Sequence, residues 1–299
     1  MPDILVIGSL NADLVVRAPH FPQPGETISG DDLQIIPGGK GANQAVAAAR
    51  HGASVAMLGC VGNDSFGPLL IASLRSNNVD ASHVRVDDSA TGTAIVVVDS
   101  GGQNSIILSA GANGRLAAQD IDGLGLEARI LLLQLEIPLE TVIHAAKWGK
   151  RRGLTVILNP APARDLPAEL IADVDFIIPN ETELERLTGA RVTDAASAEQ
   201  AATVLRNRGA RNVIVTLGSN GALVLSRQQA THVDACKVAA VDSTAAGDAF
   251  IGGFAFALLR GVEVVEAVKY ANACGAIATT RFGAQPSLPT RDEVEKFMS

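Results

Sequence analysis

Short apolar runs rich in β-branched residues alternate along this chain with segments of helical periodicity, and that alternation restricts the fold more than any other feature. The runs Ile4–Ile7, Ser54–Leu58, Ile130–Leu133, Thr155–Leu158, Phe176–Ile178, Val213–Thr216 and Ala222–Leu225 read as strands. Between and after them, Ala42–Arg50, Phe66–Asn77, Leu139–Arg151, Glu181–Leu187, Ala198–Arg208, Asp248–Leu259, Val262–Thr279 and Arg291–Phe297 read as helices. Strands without polar alternation are covered on both faces, so the pattern predicts an α/β protein with a mostly parallel sheet. Two stretches, residues 12–36 and 91–109, break the rhythm. Each is rich in strand formers around turn residues, a Pro-rich turn in one and Gly101-Gly102 in the other, and reads as a hairpin. Hairpins inserted into an α/β unit predict a small antiparallel flap over the carboxyl ends of the parallel strands, where such folds bind ligands.

A chain of 299 residues can bury a large core. No apolar run reaches the ~18 residues a membrane span needs, and the start, Met1 to Gly8, lacks the basic region and cleavage site of a secretory signal. Cys60, Cys236 and Cys274 lie far apart with no C-x-x-C pair, so neither a disulfide framework nor a zinc site is expected, and a reducing cytoplasm is the simplest home. The balance of 24 basic against 32 acidic residues, a net charge of −8, argues against a general nucleic-acid binder. Lys147, Lys150, Arg151 and Arg152 read as the solvated, cation-favouring end of a helix.

Five segments carry candidate chemistry. In Asp242-Ser-Thr-Ala-Ala-Gly-Asp-Ala-Phe-Ile-Gly-Gly-Phe254, small residues lead through a glycine to Asp248 at the start of a long apolar helix. Free amides at a helix start attract anions, and a carboxylate beside them is either a cap or a base for a nucleophile attacking a phosphate held there. Pro37-Gly-Gly-Lys-Gly-Ala-Asn43 opens the first helix; it lacks Walker spacing, but Gly38 and Gly39 permit close backbone approach and Lys40 and Asn43 supply donors. Gly8-Ser-Leu-Asn-Ala-Asp13 has one glycine where a dinucleotide fold carries three. Asn11 and Asp13 would point the same way from an extended segment, suited to neighbouring sugar hydroxyls, or else form an Asx turn. In Pro179-Asn-Glu-Thr-Glu-Leu-Glu185, Asn180 and Glu183 have capping-box spacing, compatible with ordering water around a magnesium–phosphate complex. Thr216-Leu-Gly-Ser-Asn-Gly221 is a turn between strands that either faces a nucleotide or simply closes a hairpin. The five histidines are scattered and suggest no metal site or triad.

Together these segments resemble the ribokinase-like (PfkB-type) carbohydrate kinases, from Ile4 to Ser287 and in the family's order. The phrasing of Asn11-Ala-Asp13, Gly38-Gly-Lys-Gly-Ala-Asn43, Gln134-Leu-Glu136, Leu158-Asn-Pro-Ala-Pro-Ala163 and Gly283-Ala-Gln-Pro-Ser287 is similar to that of members acting on D-ribose at its 5-hydroxyl. The resemblance implies one kinase domain over residues 1–299, a three-layer sandwich with a β-sheet lid formed by the two insertions. It implies a sugar wall of Asn11, Asp13, Gly39, Lys40, Asn43 and Glu136, with Asp248 as general base and the amides of Ala245, Ala246 and Gly247 as an anion hole. Asn180 and Glu183 would order the waters of Mg²⁺. Thr216, Leu217, Gly218, Ser219, Asn220 and Gly221, with Asn272, would line the ATP site. A monovalent cation, usually potassium, would be held by the side chains of Asp242 and Ser287 and by main-chain oxygens of Thr244, Ala278, Arg281 and Gly283. The lid, with an apolar face of Val15, Ile35, Val97 and Ile107, would pair with a second subunit's lid in a homodimer. The same chemistry on 2-deoxyribose, a ketosugar or a nucleoside is the nearest rival. A non-catalytic sugar-binding or regulatory protein is a remoter one, and a Rossmann oxidoreductase is remoter still.

Overall fold

A computed structural model describes residues 1–101, 103–226 and 229–299 of the chain. In chain order the strands are β1 (Ile4–Ile7), β2 (Asn11–Arg17), β3 (Gln34–Gly38), β4 (Val55–Gly62), β5 (Val79–Asp87), β6 (Gly92–Val98), β7 (Asn104–Ser109), β8 (Ile130–Leu133), β9 (Thr155–Leu158), β10 (Phe176–Ile177), β11 (Asn212–Thr216), β12 (Ala222–Ser226) and β13 (Gln229–Val233). The helices are α1 (Lys40–Arg50), α2 (Phe66–Ser76), α3 (Ala118–Asp122), α4 (Leu139–Arg151), α5 (Ala168–Asp173), α6 (Glu181–Thr188), α7 (Ala195–Asn207), α8 (Ala246–Leu259), α9 (Val264–Ala278) and α10 (Arg291–Met298).

Nine strands form one sheet in the order β13-β12-β11-β10-β9-β8-β1-β4-β5, parallel throughout except for β12 and β13 at one edge. Alternate residues of each central strand feed opposite cores. Ile4 and Val6 join the layer containing α1, α2, α8, α9 and α10, whereas Leu5 and Ile7 join the layer containing α3 to α7. This is the expected three-layer α/β arrangement, and it explains why the strands read as uninterrupted apolar runs. Helix α8 is buried along most of its length, from Asp248 to Ala257, as a helix apolar on every side must be.

The two insertions form a separate four-stranded sheet, β3-β2-β6-β7. Its outer pairs are antiparallel as expected, but the central pair β2/β6 is parallel, because two separate hairpins lie side by side with their first strands adjacent. Of the expected Gly101-Gly102 turn, Gly102 lies outside the described residues. Strands β5 and β13 and helices α3 and α5 were not anticipated. In Val79-Asp-Ala-Ser-His-Val-Arg-Val-Asp87, polar residues interrupt the apolar ones, since an edge strand buries little: Val79 and Ala81 are buried and the rest are partly or wholly exposed.

The four apolar residues expected on one face of the small sheet divide between its two faces. Cross-strand register puts Val15 on the same face as Asp13, Ala94 and Ile106, whereas Ile35, Val97 and Ile107 lie on the opposite face with Leu14 and Ile95. A strand's period of two makes this unavoidable, because the odd residues of β2 turn toward the site.

Candidate active site

Moving along the sheet from β1, the chain goes one way to β4 and β5 and later returns to place β8 on the other side. The crevice outside the carboxyl ends of two such strands is where doubly wound folds bind ligands. The segments following β1 and β8 here carry Asn11, Asp13, Gln134 and Glu136.

Gly39, at φ 87°, caps the start of α1, and a Cβ there would stand 2.7 Å from the Asn11 amide nitrogen. Only glycine fits this turn without strain, and the turn delivers Lys40 to the first helical position. The Lys40 amide donates to Glu136 Oε2 at 3.0 Å. Asn113 bridges Leu10 and Asn11: its Nδ2 donates to Asn11 Oδ1 at 2.7 Å, which leaves Asn11 Nδ2 to face outward as a donor. Asp13, two residues on, presents an acceptor from the same face of β2.

Asp248 lies in the first turn of α8 and is 5% exposed. Its Oδ2 accepts from Asn43 Nδ2 at 2.9 Å and its Oδ1 from Gln44 Nε2 at 3.0 Å. The residue before α8, Ala245, adopts left-handed φ 59° without being glycine, a backbone strain of the kind that accumulates at functional turns. The Ala246 amide donates to Ser243 O at 3.2 Å, so of the three expected anion-hole donors that one is already committed. The amides of Ala245 and Gly247 have no acceptor among the described residues.

Four carboxylates converge on one lysine. Burial lifts Asp248 above the usual carboxylate range, opposed by Lys40 and the two amide donors. Burial also raises Asp13, to about 7, reinforced by Glu136 and Asp248 and opposed by Lys40. Glu183 is likewise raised by burial, against the Asn180 amide and Lys40. Burial pulls the Lys40 ammonium down, but Asp248, Glu136, Glu183 and Asp13 outweigh it and hold the group above its ordinary value. Lys40 is therefore the shared counter-charge of the site.

Asp248 stands on a wall between two cavities. One, of about 890 Å³, is roofed by the inner face of the small sheet and lined by Asn11, Asp13, Gly39, Lys40, Asn43, Glu136, Asp242 and Thr244. The other, of about 200 Å³, is lined by Lys40, Asn159, Asn180, Glu183, Thr216 and Gly247. Lys40, Ala245 and Asp248 line both. The fold thus brings the expected sugar wall and the expected magnesium and phosphate residues to the same carboxylate from opposite sides. Asn180 and Glu183 do form a capping box, with Asn180 Oδ1 accepting at 2.8 Å and Glu183 Oε2 at 2.9 Å.

The expected nucleotide residues are less uniform. Thr216 ends β11 beside Asn180, and Gly218–Asn220 form a single turn with Ser219 and Asn220 exposed. Leu217 is buried in the core, so it offers that edge its main chain alone. Asn272 spends its Nδ2 on the carbonyls of Val233 and Asp234, at 3.3 and 3.0 Å, tying α9 to the end of β13.

Asp242 joins two loops. Its Oδ1 accepts from the Thr244 amide and hydroxyl at 2.9 and 2.6 Å, and its Oδ2 from the Gly283 amide at 2.8 Å. Ser287 is fully buried and donates to Ala284 O at 2.8 Å. The Ala278 carbonyl accepts from the Arg281 amide at 3.3 Å. A carboxylate, a hydroxyl and a carbonyl each keep lone pairs beyond these bonds and are oxygen donors of the type a hard monovalent cation takes. Among the described residues no cluster of His, Cys, Asp and Glu forms a metal-binding group.

Three residues of the site carried no role in the sequence reading: Gln44, Gln134 and Asn159. Each is a buried amide directly after an apolar or small-residue run, two of them at the carboxyl ends of parallel strands. A buried polar side chain at that edge is the signal that marks them. Outside the site, Lys147, Arg151 and Arg152 are exposed as expected of a solvated helix end, whereas Lys150 is half-buried and pairs with Asp175 at 3.0 Å.

The pfkB family carbohydrate kinase profile matches residues 1–291. The chain belongs to the pfkB family of carbohydrate kinases. It is 44% identical over 299 residues to the ribokinase of Haemophilus influenzae, covering 99% of this chain and 98% of that one. It is 42% identical over 302 residues to the deoxyribokinase of Salmonella typhi, covering 99% of each. The structure of Arabidopsis thaliana ribokinase complexed with ribose and ATP superposes with a TM-score of 0.91 at 35% identity, covering 99% of this chain and 98% of that one. The fold is therefore ribokinase-like, and the chain is a pfkB-type sugar kinase. Among the described residues no helix is long and apolar enough to cross a membrane.

Proposed function

We propose that this kinase transfers the γ-phosphoryl group of ATP to the 5-hydroxyl of D-ribose in the cytoplasm. The observation that carries the reading is the position of Asp248, buried between the two cavities with both oxygens held by amide donors. Ribose fits the larger cavity, where Asn11 donates, Asp13 accepts, and Asn43 Oδ1 is a buried acceptor with no partner among the described residues. A buried orphan acceptor is costly unless a ligand hydroxyl satisfies it. Gly39, Lys40 and Glu136 complete the sugar wall. The Arabidopsis ribokinase complexed with ribose and ATP supports this pair of substrates.

In the proposed reaction the 5-hydroxyl gives its proton to Asp248 as its oxygen bonds to the γ-phosphorus. The bond from that phosphorus to the bridging oxygen breaks, and ADP leaves with the electron pair. Phosphoryl transfer depends mainly on positioning and charge stabilisation. The free amides of Ala245 and Gly247 at the start of α8, with Lys40 beside them, meet the charge on the transferring group. Asn180 and Glu183 would hold the waters of Mg²⁺, which neutralises phosphate charge when bound. Thr216 and the turn through Gly221, with Leu217 by its main chain and Asn272 behind, form the nucleotide side. The corner at Asp242, Thr244, Ala278, Arg281, Gly283 and Ser287 would take potassium, stiffening the loop that leads to the amides. The small sheet acts as a lid on the one kinase domain. Its outer face of Leu14, Ile35, Ile95, Val97 and Ile107 pairs with the lid of a second copy, since Ile107 at 67% exposed otherwise faces water.

Asp248→Asn is expected to lower turnover by about 10²–10⁴-fold while leaving ATP binding intact; unchanged turnover would remove Asp248 from the chemistry. Turnover that is equal with potassium, with sodium and without either would eliminate the cation site. A monomeric mass in solution would eliminate the lid dimer. A second reading, 2-deoxyribose as acceptor, is favoured by the likeness to the Salmonella typhi deoxyribokinase. ATP turnover across ribose, 2-deoxyribose, ketosugars and nucleosides separates the two.

A further inference from the structure

The reaction proposed above uses Asn43 and Asp248 but gives no task to the amides packed behind them. Gln44 and Gln134 are both fully buried and line neither cavity. We propose that Gln44 is a positioning residue for Asp248, locked in its donating orientation by Gln134 and Asn159, so that the carboxylate keeps one fixed lone pair aimed at the acceptor hydroxyl. This rests on the reading of Asp248 as the base.

The polarity of the chain of hydrogen bonds is over-determined. Gln134 Nε2 donates to Gln44 Oε1 at 2.6 Å, so the other end of the Gln44 amide must be its nitrogen. That nitrogen donates to Asp248 Oδ1 at 3.0 Å and to Asn159 Oδ1 at 3.3 Å. Asn159 is fixed in turn, since its Nδ2 donates to Ile178 O at 3.1 Å. Turning the Gln44 amide over would aim an oxygen at a carboxylate and at a carbonyl, and set two NH₂ groups against each other.

The fold bears a cost for this orientation. Gln134 Oε1 is buried without a partner among the described residues. It packs against Gly8, where any Cβ would overlap it. A buried orphan acceptor is worth keeping only where the group's other end has a task. The chain of amides draws together the ends of β8, β9 and β10 with the first turns of α1 and α8, all rigid elements rather than loops. Positioning of this kind is how a small displacement far from the reacting atoms changes a rate.

The charged groups facing Asp248 are Lys40 on α1, Asp13 on β2, Glu136 after β8 and Glu183 on α6. Asp13 ionises near neutrality in the free enzyme. The informative profile is therefore that of kcat, read at saturating ribose and ATP, which reports the ternary complex rather than the free site.

The test is steady-state kinetics of the full chain with Gln44→Met, Gln134→Met, the double variant and Asp248→Asn. Gln44→Met should lower kcat by about tenfold to a hundredfold with the ATP KM unchanged. It should also move the acid limb of kcat to higher pH by about one unit, because the ionised carboxylate loses a donor. Gln134→Met should shift both in the same direction by less, and the double variant should be no worse than Gln44→Met alone. If Asp248→Asn is inactive yet Gln44→Met keeps both kcat and the limb, the positioning role is wrong and the base stands. Fully additive losses in the double variant would overturn the locking by Gln134. An active Asp248→Asn would overturn both readings. Should Gln44→Met fail to fold, Gln134→Met carries the test, since it touches neither Asp248 nor substrate; an unshifted limb there overturns the proposal.

Discussion

The two ends of α1 hold two buried polar clusters that differ in almost everything except burial. At the start of the helix, Lys40, Asn43 and Gln44 surround Asp248, and the cluster opens onto two cavities. At the end, His51 is 1% exposed; its Nδ1 meets the Tyr270 hydroxyl at 3.0 Å and its Nε2 the Cys274 thiol at 3.6 Å, with the Phe256 ring stacked over it. In the first cluster Lys40 and two amide donors oppose the effect of lost water on Asp248, although burial still raises its carboxyl. The second has neutral partners only, and burial, with Arg291 nearby, pushes His51 down to about 4. Burial likewise raises Cys274 and Tyr270 above their ordinary values. Both clusters contain residue types that often do chemistry. Only the first has a counter-charge and a face open to the cavities.

Removing the counter-charge should have the largest effect. Lys40→Met leaves four carboxylates facing one another, and turnover should fall by about 10³-fold; retention of most activity would show that the amide donors alone suffice. The His51 cluster should show its difference in stability instead. The folded pKa near 4 lies below the unfolded value of 6.5, so unfolded chains bind the extra proton between those limits. His51 therefore contributes stability that is present above about pH 6.5 and lost, by roughly 3 kcal/mol, as pH falls toward 4. Asp13 has the opposite sign, since its folded pKa is raised from 3.8 to about 7; its contribution is present below about pH 3.8 and lost as pH rises to about 7. The two partly cancel in the native protein, which is why the difference between variant and parent is the quantity to measure. In chemical denaturation, the stability deficit of His51→Gln relative to the parent should shrink by about 2.5 kcal/mol between pH 7 and pH 4.5; a constant deficit would break the comparison. The smallest effect belongs to Asp248→Asn, whose stability at pH 7 should equal or exceed the parent's by up to about 1 kcal/mol, because a buried charge is removed. A large loss would mean that the first cluster is structural like the second.

Much of the site was legible before folding, but unevenly. Asn11, Asp13, Lys40, Asn43, Asn180, Glu183 and Asp248 sit in short segments whose glycines and turn residues announce special backbone, and all of them line the two cavities. Gln44, Gln134 and Asn159 have no role legible in the sequence, since one amide per segment has no meaning until three segments meet. Strand β5 was missed because an edge strand is allowed polar residues on both sides. The face carrying Val15 was misjudged because hydrophobicity says how much surface a strand hides, whereas register says which side hides it.

Asp242 and Asp248 show where the division lies. By itself, the run from Asp242 to Phe254 determined a helix start with free amides, a carboxylate in its first turn and an apolar body that had to be buried, all consequences of local geometry and solvation. The alternation of strands and helices likewise determined a parallel sheet with its ligand edge at the carboxyl ends. Tertiary structure decided the rest. It committed Asp242 to the Thr244 and Gly283 loops and surrounded Asp248 with Lys40, Asn43 and Gln44 from a helix some two hundred residues away in the chain. The acidity of a buried carboxylate is set by what stands within a few ångströms of it, and those neighbours come together only when the chain has folded.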